Sequence, residues 1–94
     1  MLAPAGTTWV GEWEKNLNRD GWSRSLLWRE FSDSGMSVEI DGRQQCDGTV
    51  EREISAYLDD APKFTSATAR RLAALLIEAA DQLDRWEHEG SSAH

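Results

Sequence analysis

The sequence predicts an α+β domain, a four-stranded antiparallel β-meander followed by one long C-terminal α-helix packed on one face. Three observations predict it. Turn signals recur at even spacing, at Asp20-Gly21, at Ser32-Asp33-Ser34-Gly35 and at Asp47-Gly48, each between stretches that alternate or favour strands. From Thr65 onward the apolar period changes from that of a strand to that of a helix. The length of 94 residues suits one domain with one modest core, since roughly 60 to 65% of the unfolded surface is buried at this size.

Residues 1–7 are small and contain Pro4 and Gly6, which marks a flexible N-terminal arm. The meander occupies residues 8–58, and its register can be read from pattern because a slip of one residue moves every side chain to the other face. With Asp20-Gly21 as a two-residue turn, Arg19 faces Trp22 and Trp13 faces Trp28. Trp9, Trp13, Leu17, Trp22, Leu26 and Trp28 then share one face. A three-residue loop pairs Trp9 with Phe31 and Trp13 with Leu27 and scatters the remaining apolar residues, so the two-residue turn is preferred.

A four-residue turn over 32–35 sets Phe31 against Met36 and Leu27 against Ile40. At Asp47-Gly48 a two-residue turn would set Ile54 against Asp41. A three-residue loop with Gly48 in the left-handed region sets Ile54 against Ile40, Ala56 against Val38 and Leu58 against Met36, and the apolar pattern selects it. These registers gather Leu27, Phe31, Met36, Val38, Ile40, Val50, Ile54, Ala56 and Leu58 opposite the tryptophans.

Residues 59–63 read as a loop in which Pro62 ends the strand. The helix is expected over 65–89, with Leu72, Leu75, Leu76, Ala79, Leu83 and Trp86 forming its apolar stripe. Thr65 or Ser66 can cap it and Phe64 can staple it, although no Glu or Gln follows at the spacing of a capping box. Gly90 should stop it, about 36 Å from its start, leaving 90–94 as a disordered tail.

The net charge of -7 repels phosphate and disfavours direct nucleic-acid binding. Arg70 and Arg71, adjacent at the helix start, read as part of a solvated face. Cys46 is the single cysteine, so no intramolecular disulfide forms, which suits a reducing cytoplasm. The start MLAPAG lacks the basic and apolar regions of a leader, and no segment approaches the ~20 apolar residues of a membrane span.

No catalytic, cofactor or metal signature stands out. His88 and His94 lie at the chain end, Glu51 and Glu53 share a strand face, Asp59 and Asp60 sit in a loop, and each Asp-Gly pair belongs to a hairpin rather than a phosphate loop. The chain therefore reads as a non-enzyme. One helix covers one face of a sheet, so the tryptophan face needs another cover. Either the N-terminal arm or the helix end folds over the indoles, or a partner does.

The interface reading assigns Trp9, Trp13, Trp22 and Trp28 as apolar anchors, with Leu26 and Tyr57 beside them, and a second copy of the chain as the commonest partner. Two other readings stay open: an antitoxin-like or nucleic-acid-associated regulatory module, and a small-molecule binder using the indoles. A base-stacking role lacks its positive groove, because Lys15, Arg19, Arg24 and Arg29 are offset by Glu12, Glu14, Asp20 and Glu30.

VEIDGRQQCDGTVEREI, from Val38 to Ile54, and FTSATARRLAALLIEAADQLDRW, from Phe64 to Trp86, carry a resemblance. Together they resemble small uncharacterised proteins of mycobacteria and their phages, in which an Asp-Gly hairpin precedes an Ala/Arg-rich helix. The match spans about half the chain, and Arg outnumbers Lys eight to two. It implies no activity, cofactor or catalytic residue.

Overall fold

The computed structural model describes residues 1–33, 35–59 and 64–92. It contains five strands, β1 (Trp9–Val10), β2 (Glu14–Lys15), β3 (Trp22–Asp33), β4 (Met36–Gln45) and β5 (Val50–Leu58), and one helix, α1 (Ser66–Ser92). The strands form one sheet in the order β1-β3-β4-β5, with β2 also pairing β3. An α+β architecture with an antiparallel sheet and a C-terminal helix is thus present, with five strands where four were expected. Among the described residues no helix is long and apolar enough to cross a membrane. The expected turn residue Ser34, the loop around Pro62 and the last two residues of the expected tail lie outside the described residues.

The additional strand arises from a local insertion. Trp9 faces Leu27 and Val10 faces Leu26, whereas Glu14 faces Ser23 and Lys15 faces Trp22. Between these two registers Glu12 and Trp13 both stand where β3 offers only Arg24, so the edge strand is split by a bulge. The expected Arg19–Trp22 and Trp13–Trp28 pairs do not form. Asn16 explains why: its N–H donates to the Gly21 carbonyl at 3.0 Å and its side-chain amide donates to the Asp20 carbonyl at 3.3 Å. These bonds close a four-residue loop over 17–20 in place of the two-residue turn.

The chain divides into two compact units. The first comprises Met1–Arg29 and Ile40–Glu53. Here the Cys46 N–H donates to the Trp22 carbonyl at 2.8 Å, which sets Trp22 against Cys46 and, by alternation, Leu26 against Gly42 and Trp28 against Ile40. The side chains agree, since Arg24 Nε donates to Gln44 Oε1 at 2.8 Å and Arg43 Nη1 to Ser25 Oγ at 3.2 Å. This register differs by one residue from the expected pairing of Leu27 with Ile40. Leu26 and Trp28 therefore share a face with Ile40, and the separate indole and aliphatic faces do not exist.

The N-terminal arm covers this face. Trp28 is 3% exposed; its indole N–H donates to the Ala5 carbonyl at 3.3 Å, and the Arg52 guanidinium lies 4.9 Å from its ring centroid. Arg24 Nη2 donates to the Met1 carbonyl and Gln44 Nε2 to the Leu2 carbonyl, both at 3.0 Å. The arm, expected to be loose, is held by its main-chain carbonyls. Truncating a buried indole of this kind costs roughly 3–5 kcal/mol.

The last hairpin forms as its pattern requires. Gln45 N–H donates to the Thr49 carbonyl at 2.8 Å and Gly48 N–H to the Gln45 carbonyl at 2.9 Å, with Gly48 at φ 95°. This is the three-residue loop with a left-handed glycine. Farther up the hairpin, Gly42 is buried. A Cβ there would run into the Glu51 carbonyl and lie 3.1 Å from the Arg52 Cα, so β4 and β5 approach too closely for any side chain.

The second unit comprises Glu30–Glu39 and Ile54–His94. Its buried apolar residues are Met36 and Val38 on β4 and Leu75 and Ala79 on α1. Leu72, Leu83 and Trp86 are half-buried on the expected stripe, whereas Leu76 lies at its exposed edge. Thr65 caps the helix: its hydroxyl accepts from Thr68 N–H at 3.2 Å while its own N–H donates to Thr68 Oγ1 at 2.8 Å. A threonine thus closes the reciprocal box that was expected to lack a partner. The helix also continues through Gly90 to Ser92, beyond its expected stop, because a glycine in the helical region weakens a helix by about 1 kcal/mol without ending it.

Gly42→Ala should cost about 3 kcal/mol, because backbone must move, whereas Gly48→Ala, with nothing within 4 Å, should cost only about 1 kcal/mol for its left-handed backbone. Urea denaturation of both variants measures the difference, and equal losses would refute the close approach at Gly42. Thr65→Ala should lower stability by about 1 kcal/mol, read from the same curves.

Asp47 supplies a pH test. Its Oδ1 accepts from Thr49 N–H at 2.9 Å. That backbone bond first, then the Thr49 hydroxyl, with a smaller contribution from the Arg19 charge, hold its carboxyl below the ordinary value of 3.8. A depressed folded-state pKa gives stability that is full above the unfolded-state value and lost as pH falls through the folded-state value. Asp47→Asn keeps an oxygen acceptor but cannot titrate, so its acid-unfolding curve followed by circular dichroism should be flatter than the wild-type curve below about pH 4. Parallel curves would exclude this contribution.

Candidate functional site

The six residues that pattern marks as an interface do not gather on one surface. Trp9 faces Leu27 and Trp22 faces Lys15, and the odd spacing of Trp22 and Leu27 along β3 puts the two indoles on opposite sides of the sheet. Both stay open, at 55% and 50% exposure. The Trp9 ring leans over Gly11, where a Cβ would stand 2.9 Å from its Cη2. Trp13 is half-buried, with the Arg24 guanidinium 4.5 Å from its ring centroid.

Leu26, 1% exposed, and Trp28 belong to the core. Neither is available as an anchor, because Leu26 lies inside the fold and the N-terminal arm supplies the cover over Trp28. Tyr57 is exposed in the second unit. The hairpin carrying Trp9 and Trp22 also presents Leu17 at its loop, 97% exposed. Water therefore meets three large apolar side chains of this hairpin region, besides Met1, Leu2 and Val50 elsewhere in the first unit.

A polar cluster built on β3 and β4 occupies the other side of the first unit. Ser23 is fully buried. Its hydroxyl donates to Asn16 Oδ1 at 2.6 Å and accepts from Arg43 Nε at 3.2 Å and Nη2 at 2.9 Å. Arg43 Nη1 donates to Ser25 Oγ at 3.2 Å. Asn16 Nδ2 donates to Gln45 Oε1 at 3.2 Å, while the buried Gln45 Nε2 has no hydrogen-bond partner. An open cleft of about 380 Å³ borders the cluster, lined by residues 14–19 and Arg43.

Charge divides unevenly between the units. The first holds six Lys and Arg against seven Asp and Glu, the second four against ten. A second cleft, in the second unit, is correspondingly acidic, with Glu30, Asp33 and Asp59 among its lining residues. Among the described residues no group of three or more His, Cys, Asp or Glu gathers as a metal site. Cys46 is exposed and unpaired at the β4–β5 loop.

Ser23, Ser25, Asn16 and Arg43 carry no motif, so pattern reading passed over them. Their one signal is alternation: Ser23 and Ser25 on β3 and Arg43 and Gln45 on β4 are polar at every second position. That signal becomes legible only with the register in which Ser25 meets Arg43. Compared with known proteins, the chain matches no family model, no curated protein and no solved structure at a significant level.

Proposed function

We propose that the chain is a non-catalytic protein-binding module that works through its first hairpin, with a second copy of the chain as partner. The observation that carries this reading is the exposure of Trp9, Trp22 and Leu17 on one short hairpin at the outer edge of the sheet. Indoles bury about 150–250 Å² each and dominate the energetics of interfaces when they are desolvated. An edge strand also presents unpaired backbone groups to a partner. Trp9 stands on the edge strand itself, and Trp22 stands on β3 beside the second edge segment, β2.

Charge supports the choice of hairpin. The first unit is close to neutral while the second carries most of the excess of acid. Two copies approaching through their first units meet little repulsion, whereas approach through their second units opposes like charge. A two-fold arrangement closes such a contact with one patch on each copy. The donor-rich cleft favours a second reading, ligand binding.

Light scattering on the full chain should give the mass of a dimer at micromolar concentration. The double variant Trp9→Ser, Trp22→Ser should shift it to monomer with an unchanged circular dichroism spectrum. Removal of one anchor worth about 2 kcal/mol weakens association roughly 30-fold. A wild-type chain that stays monomeric across that range would end the self-association reading.

A further inference from the structure

We propose that the cleft beside the first loop binds an oxyanion, a carboxylate or phosphate group, with the Arg43 guanidinium as its anchor. The inference is independent of the indole contact and rests on the balance of donors and acceptors in the cluster. A guanidinium has five N–H donors. Three of those on Arg43 go to the hydroxyls of Ser23 and Ser25, which leaves one on each terminal nitrogen. Two N–H groups on neighbouring terminal nitrogens form the fork that receives a carboxylate or phosphate through two oxygens.

The surroundings hold the guanidinium in place and give it one long ion pair. Both serine acceptors are uncharged. The nearest carboxylate, Glu14, stands 3.9 Å from Nη2, beyond hydrogen-bond distance. Ser23 is itself buried and held by Asn16, so the Arg43 head is oriented before any ligand arrives, which lowers the ordering cost of binding.

The rest of the cleft combines charged and amide groups. Lys15 and Arg19 line it with Arg43, against Glu14 alone among the acids. Arg19 has an exposed pair with Glu51 at 3.6 Å, a kind of contact that water screens strongly, and its charge also acts on Asp47. The Asn16 and Asn18 side chains add amide groups at the rim. The volume of about 380 Å³ falls within the range of small-ligand sites. The two N–H groups that Arg43 has left after its three serine bonds select an anion that presents several oxygens.

The test is an NMR titration of the full chain with inorganic phosphate and, separately, with succinate, at constant ionic strength set by chloride. The Arg43 Nε–Hε signal and the Asn16 and Asn18 side-chain amides should shift and saturate with at least one of the two. Saturation by phosphate alone identifies a phosphate site, and saturation by succinate alone a carboxylate site. Arg43→Lys keeps the charge and loses the fork, so affinity should fall about tenfold or more. Because Arg43 also ties the cluster together, two exposed positions give independent readings. Glu14→Gln removes the competing carboxylate and should tighten binding several-fold, and Arg19→Gln should weaken it. Shifts that stay linear with both anions, or a Glu14→Gln variant that binds no better than the parent chain, would overturn the assignment.

Discussion

The first unit depends on the alternation of β3 and on the bond that locks its register. Once the Cys46 N–H is seated on the Trp22 carbonyl, every second residue of β3 is committed. Leu26 and Trp28 turn into the core with Ile40, while Ser23 and Ser25 turn toward Arg43. One strand thus supplies an apolar layer and a polar layer at once. A slip of one residue would exchange them, placing an arginine and two serines in the core and an indole in water. The penalty for unpaired buried polar groups makes that alternative costly.

The arm and the cluster illustrate two ways to finish such a strand. On the core side, main-chain carbonyls of Met1, Leu2 and Ala5 meet the donors of Arg24, Gln44 and Trp28. This recognition uses backbone alone, which explains how a stretch without any pattern can still be specific in position. On the other side, side chains meet side chains, and the count of donors exceeds that of acceptors. The core side is complete and the cluster is not. That asymmetry, rather than any motif, separates a face that serves folding from one that is equipped to bind.

Several elements were legible in advance for physical reasons. The helix from Thr65 was, because an apolar stripe at helical period belongs to no other regular structure. So was the loop at Asp47-Gly48, since only one register there aligned the apolar residues with a glycine at the left-handed position. The first hairpin was not. Asp20-Gly21 is a strong turn signal, yet Asn16, five positions from Gly21, closes the loop through its own backbone and amide. The resulting bulge at Glu12 and Trp13 divides the strand. Trp28 and Leu26 were therefore grouped with Trp9 and Trp22, although their surroundings differ completely.

By itself the sequence determined the class of fold, the place of the helix, the last hairpin and the absence of any recognisable catalytic motif. Each of these follows from periodicity or from the backbone demands of single residues, which are local properties. Only the tertiary structure decided which indoles are core and which are surface, that the arm is the cover over Trp28, and that Ser23, Ser25, Asn16 and Arg43 meet. Those outcomes turn on a register offset of one residue between strands. Such an offset is set by hydrogen bonds and packing among segments far apart in the chain, and hydrophobic pattern alone does not encode it.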